Sequence, residues 1–164
     1  MIRRFGDPPH ADRIYRPRPG AYAVLIRGDR MLTTFQAGPV PEFQLPGGGI
    51  DPGESPLGAL YREVREETGW SIAGAVRLGL YRRFAYMPDY DLWAEKTCAI
   101  YAARPVRRHG PPSEPGHSAH WLPVREAIAR LASSGDRFFA ARHCRGYGTA
   151  PRNSKRIPDT SSGK

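Results

Sequence analysis

The sequence predicts an α+β fold, a layered sandwich in which strands, a helix, more strands and further helices follow one another. Three observations predict it. Two apolar segments flank Gly28-Asp29, a helix between Ser55 and Gly69 carries both a start and a stop signal, and two later strand-like runs precede a second helical pattern.

Taken in order, residues 1–19 are rich in Pro, Arg and Gly without a period, and read as an N-terminal extension that lies on the domain or is partly loose. The domain itself is expected over residues 20–145. AYAVLIR (Ala21 to Arg27) and RMLTTFQ (Arg30 to Gln36) form a hairpin through the two-residue Gly28-Asp29 turn. EFQLP (Glu42 to Pro46) is a short strand running into Gly47, Gly48 and Gly49.

The helix starts at Ser55, whose hydroxyl can accept from a free backbone amide, with Pro56 at the first helical position, where its missing donor costs nothing. It stops at Gly69, a residue suited to a left-handed cap. Leu57, Leu60, Tyr61, Val64 and Thr68 recur at helical spacing and form the expected buried stripe. RLGLYRRFAYM (Arg77 to Met87) and KTCAIYAARPV (Lys96 to Val106) are the later strands. Trp121-Leu122-Pro123 reads as a turn, Val124 to Leu131 as a second helix and Asp136 to His143 as a short third. Residues 146–164 lack an apolar face and are expected to form a disordered tail.

A chain of 164 residues fits one domain, and 40% hydrophobic with 25% charged residues is the balance of a globular protein. No stretch approaches the roughly 20 apolar residues of a membrane span, and the basic start is followed by no apolar run of the signal-peptide kind. Cys98 and Cys144 lack Cys-x-x-Cys spacing, so no zinc site or disulfide framework is expected and a cytoplasmic location is the natural reading. The net charge of +9 attracts polyanions. Much of it sits near the ends, at Arg3, Arg4, Arg13, Arg16 and Arg18 and again at Arg142, Arg145, Arg152, Lys155, Arg156 and Lys164. That placement favours solubility over a dedicated nucleic-acid surface.

The chemistry concentrates on the first helix. At about 100° per residue, Glu63, Glu66 and Glu67 fall within an arc of roughly 100°, which predicts carboxylates converging on one exposed patch. Like charges this close repel unless a cation lies among them, and an all-oxygen set suits Mg²⁺ or Mn²⁺. Just upstream, LPGGGIDPGES supplies glycines that allow close backbone approach, a carbonyl that can face the carboxylates and amides that can face a phosphate.

Gly48, Glu54, Arg62-Glu63, Val64, Glu66-Glu67, Gly69 and the bulky Trp70 stand at the spacing of the Nudix box. The segment resembles that family at every fixed position, Trp70 being a mild departure where aliphatic residues are commoner. The resemblance implies an α/β/α sandwich with a mixed central sheet over about Gly20 to Leu131. It further implies a pyrophosphohydrolase acting on a nucleoside diphosphate linked to another moiety. By the same resemblance the Gly48 carbonyl, Glu63, Glu66 and Glu67 are metal ligands, and Arg62 with Glu54 is the orienting ion pair. The general base is drawn from Glu66 or Glu67, with Glu95 and Glu114 as loop candidates. An unbroken box disfavours the further reading of a catalytically silent nucleotide sensor.

For the substrate, Phe84, Tyr86, Tyr90 and Trp93 are candidates to stack a base, and Arg82 and Arg83 to hold phosphate. His117 and His120 are weaker candidates. A small nucleotide, nucleotide sugar or dinucleoside polyphosphate is the expected partner, RNA a less favoured one; a homodimer is left open.

Overall fold

The structure, a computed structural model, describes residues 2–146. Its strands are β1 (Arg3–Arg4), β2 (Tyr15–Arg27), β3 (Arg30–Gln36), β4 (Glu42–Gln44), β5 (Gly47–Gly49), β6 (Trp70–Met87), β7 (Leu92–Arg108) and β8 (His117–Pro123). The helices are α1 (Pro56–Thr68), α2 (Val124–Arg130) and α3 (Ser134–His143). A 3-10 turn at Pro88–Tyr90, followed by Asp91 at φ 47°, closes the β6–β7 ribbon.

The strands form a mixed sheet in the order β1-β6-β7-β2-β3-β4, with β5 against β2 and β8 against β3. β2 runs parallel to β7 from Tyr15↔Trp93 to Leu25↔Ala103, and β1 runs parallel to β6. Successive residues of a strand point to opposite faces, and here that period sorts the core into two layers. Ala21, Ala23 and Leu25 of β2 pack with Leu60 and Val64 of α1. Tyr22 and Val24 pack with Val124 and Ala127 of α2 and with Phe139 and Ala140 of α3. β7 repeats the division, with Ala99 and Tyr101 on the α1 side and Cys98 and Ile100 on the other. Leu60 and Val64 are fully buried, which stabilises the α1 contact by roughly 1.5–3 kcal/mol for each side chain.

β3 pairs with β2 only from Leu25↔Leu32 to Arg27↔Arg30, after which β5 takes the edge of β2 at Gly20, Ala21 and Tyr22. The β3–β4 and β6–β7 ribbons therefore splay apart and line a common cleft.

Several expectations are corrected. The boundary at Gly20 falls inside β2, which begins at Tyr15; Pro17 and Pro19 are accommodated because β7 pairs with only one edge of this stretch. β6 begins at Trp70 instead of Arg77, and shifts of register near Ile72, Val76 and Gly79 break the alternation that marks a strand in sequence. β7 likewise extends beyond Lys96–Val106. Trp121-Leu122-Pro123 ends β8 and pairs with β3. On α1 the caps stand as expected: Ser55 Oγ accepts from Gly58 N, and Gly69 has φ 74°.

The buried face of α1, however, comprises Ala59, Leu60, Val64, Glu67 and Thr68, with Leu57 and Tyr61 43% and 39% exposed. The helix is rolled toward its acidic side. Except for Gly146, the expected tail lies outside the described residues. Among the described residues no helix is long and apolar enough to cross a membrane.

Candidate functional site

The site is built where β5 meets α1. The Gly47–Gly49 strand lies against β2, and two of its glycines are required by space: a Cβ on Gly47 would come 2.1 Å from the Ala21 carbonyl oxygen, and one on Gly48 2.4 Å from the Glu63 carboxyl group. Gly48 thus presents bare backbone to Glu63.

Arg62 is the hub. Its Nε donates to Glu54 Oε1 at 3.0 Å and its Nη2 to Glu54 Oε2 at 2.8 Å, a bidentate grip that spans the loop between β5 and α1. The same Nη2 donates to the Gly49 carbonyl at 3.2 Å, and Nη1 donates to Glu63 at 2.7 Å and Glu66 at 3.3 Å. Glu54 also accepts from Asp51 N at 3.2 Å. The Arg62 hydrogen bonds hold Glu54 below the usual carboxylate range. Burial raises Glu63, against the pull of Arg62.

Glu67 departs from the expected exposed patch. It is 5% exposed, accepts from Gly47 N at 3.0 Å and lies 3.4 Å from His117 Nε2. Burial pushes its carboxyl well above the usual range; the Gly47 amide opposes this, and the neighbouring charges of Glu63 and Glu114 add to it. The reason for its burial is angular, since Glu67 sits only about 20° around the helix from Leu60.

Among the described residues, no three acidic, histidine or cysteine side chains converge on one ligand point. Arg62 draws Glu63 and Glu66 to itself, while Gly47 and His117 hold Glu67. The donor set nonetheless fits a hard divalent cation. Glu63 and Glu66 already share one positive group, Arg62 Nη1, and the desolvated Glu63 faces a glycine backbone with no side chain to block it.

The other candidates separate. Ser113 N and Glu114 N donate to the Glu66 carbonyl at 2.8 and 3.0 Å, so the loop carrying Glu114 is docked on α1. Glu95 lies within β7 and pairs with Arg82 at 2.8 Å, so it is not a loop residue. Arg82 and Arg83 are neighbours on β6 and face opposite ways: Arg83 lines the cleft, and Arg82 lies on the Glu95 face. They cannot jointly hold one phosphate. Tyr86 lines the cleft and donates to Asp91. Tyr90 lines the adjoining pocket with Glu63 and Gly49.

Phe84 and Trp93 instead pack against the N-terminal segment, Phe84 edge-on to Tyr15 at 4.8 Å and Trp93 beneath the Arg13 guanidinium at 3.8 Å. His120 bonds Ser118 Oγ at 2.8 Å and packs near Phe43. Sequence reading missed Lys96, Gln36 and Gln44 in the cleft; alternation along β7 from the buried Cys98 was the signal that could have found Lys96.

Residues 16–141 match the NUDIX domain family. A Bacillus subtilis (strain 168) protein, provisionally named an 8-oxo-dGTP diphosphatase, is 34% identical over 74 residues, covering 45% of this chain and 50% of that one. An RNA pyrophosphohydrolase of Halorhodospira halophila is 40% identical over 72 residues, covering 43% and 38%. The chain thus spans half or less of the length of these curated relatives. A NUDIX hydrolase structure from Nitrosomonas europaea superposes with a TM-score of 0.65 at 23% identity, over 80% of this chain and 91% of that one, a likeness of fold. With a match running from β2 into α3, around a helix and glycine strand joined through Arg62, the chain belongs to the NUDIX domain family.

Proposed function

We propose that the chain is a pyrophosphohydrolase that uses Mg²⁺ or Mn²⁺ to cleave the anhydride of a small nucleoside diphosphate derivative. One observation carries this reading: Arg62 gathers Glu54, Glu63, Glu66 and the Gly49 carbonyl beside a pocket that Glu63 and Gly49 line. Glu63, Glu66, Glu67 and the Gly48 carbonyl would hold the ion. When bound, a divalent cation neutralises diphosphate charge and lowers the pKa of attacking water. Arg62 and Glu54 keep the loop and helix in register so that the carboxylates meet the substrate in one arrangement. Glu66 or Glu67 takes the proton of the attacking water, with Glu114 the loop alternative; Glu95 is withdrawn because Arg82 engages it on the other face.

The test is release of phosphate, pyrophosphate or nucleoside monophosphate from a panel of nucleotides, with metal and with excess chelator. Absence of hydrolysis across the panel in both Mg²⁺ and Mn²⁺ overturns the reading.

A second reading, removal of pyrophosphate from an RNA 5′ end, is favoured by the placement of Arg13 over Trp93 and Arg18 over Tyr90, which puts basic residues on the folded face. A steep fall of kcat/KM for 5′-triphosphorylated RNA between about 50 and 200 mM salt would support it. A shallow slope with preference for free nucleotides supports the first.

A further inference from the structure

Arg83 and Lys96 are Cα partners across the antiparallel β6–β7 ribbon, so both side chains leave it on the same face. That face is the wall of the cleft, shared with Gln36, Glu42 and Gln44 of the opposite ribbon. Like charges placed directly opposite on a sheet destabilise it, and partial burial deepens the penalty. Among the described residues neither cation forms an ion pair. Arg83 Nε is buried with no hydrogen-bond partner, and Lys96 Nζ has only the Tyr22 ring beneath it at 5.8 Å.

No carboxylate nearby pairs with either cation, although Asp136 favours the charged form of both and Glu42 that of Lys96. Glu42 accepts from Gln44 at 2.6 Å, Asp136 accepts from the Tyr81 hydroxyl at 2.7 Å, and Asp89 lines the cleft without pairing to either cation. Burial, then the proximity of Arg83, pulls Lys96 below the usual lysine range, against the smaller opposing influence of Cys98, Asp136 and Glu42. Lys96 also lines the adjoining pocket with Glu63, Gly49 and Tyr90. An anion on the pair therefore sits beside the carboxylates of the site.

We propose that Arg83 and Lys96 form a phosphoryl subsite for a charged phosphate group next to the scissile anhydride, selecting nucleoside 5′-triphosphates and other polyphosphate chains over nucleotide sugars. A phosphate group of charge about −1.5 to −2 compensates both cations and accepts hydrogen bonds from the guanidinium, whereas a sugar leaves both unpaired. The assignment rests on the pyrophosphohydrolase reading. A free nucleotide and a 5′-triphosphorylated RNA share this chemistry, and their salt slopes distinguish them.

The experiment compares the native chain with Arg83→Gln, Lys96→Gln and Lys96→Arg. The ratio of kcat/KM for a nucleoside triphosphate to that for a nucleotide sugar should fall about tenfold to a hundredfold in both Gln variants, the size of a lost hydrogen bond to a charged group. Lys96→Arg should retain it. In chelator, inorganic tripolyphosphate should raise the melting temperature of the native chain and not of Lys96→Gln. Without ligand, Lys96→Gln should melt at or above the native temperature, because the repulsion is relieved. An unchanged ratio, or a tripolyphosphate shift retained by both Gln variants, overturns the proposal. If the native chain cleaves no member of the nucleotide panel in Mg²⁺ or Mn²⁺, the hydrolase reading fails, and the tripolyphosphate arm still decides the subsite.

Discussion

Arg62 closes on Glu54 through two hydrogen bonds, at 3.0 and 2.8 Å, joining the body of α1 to the loop that precedes it. The pair acts on geometry, so breaking it from either side should impair the same step, although Arg62 also holds Glu63, Glu66 and the Gly49 carbonyl. Arg62→Ala and Glu54→Gln are each expected to lower kcat/KM by about a hundredfold, the cost of a site displaced by roughly 1 Å. The double variant should be little worse than either single one, and additive losses in a double-mutant cycle would contradict a shared role.

Glu67 is expected to separate activity from stability. Glu67→Gln keeps an oxygen for the Gly47 amide and should preserve the melting temperature while lowering kcat by at least about a hundredfold, the usual range for loss of a general base. Glu67→Ala also strands a buried amide and should cost a further 1–3 kcal/mol, or about that, in chemical denaturation. Equal stability of the two variants would show that the Gly47 bond contributes nothing.

The interior carboxyl of Asp136 predicts a pH dependence. Burial raises its pKa, opposed by the hydrogen bond from Tyr81. A folded value above the unfolded one means that its contribution is complete below the ordinary aspartate pKa of about 3.9 and is lost as pH rises through the folded value. Asp136→Asn retains an acceptor for Tyr81 and should lack this decline. The stability difference between variant and native chain, measured in urea from about pH 4 to 8, should shift in the variant's favour as pH rises. A difference constant with pH would refute it.

Gly69 carries both a positive φ of 74° and a neighbour that a Cβ would meet at 2.0 Å, the carbonyl oxygen of Gly110. Gly69→Ala is therefore expected to destabilise by more than about 1 kcal/mol. Because Gly110 belongs to the loop that leads to Glu114, amide exchange of Ser113 and Glu114 should quicken in the same variant.

The sequence made α1 legible because its signals are local: a capping hydroxyl, a proline at the first position and a glycine that tolerates φ 74°. The box residues were legible by spacing for the same reason. Which way the helix rolls was not, because Glu67 and Leu60 lie about 20° apart and the packing of α1 on β2, β5 and β8, set by contacts distant in sequence, decides that the acid goes inward. β8 was hidden since HSAHWLP offers little alternation and gains its structure from β3, distant in sequence. The opposite facings of Arg82 and Arg83 follow from strand period alone and could have been anticipated. The pairing of Arg83 with Lys96 could not, because it depends on the turn that sets the β6–β7 register.

The loop over the end of α1 has a consequence for how the site can adjust. The Glu66 carbonyl accepts from both Ser113 and Glu114, Ser55 caps the other end, and Gly69 N bonds back to the Arg65 carbonyl. With its backbone fastened at both ends, α1 cannot slide or unwind to release Glu63 and Glu66 from Arg62. On the proposed reading, a cation that takes these carboxylates from the guanidinium is met by rotation of the two side chains about a stationary axis, a local motion and not a domain motion.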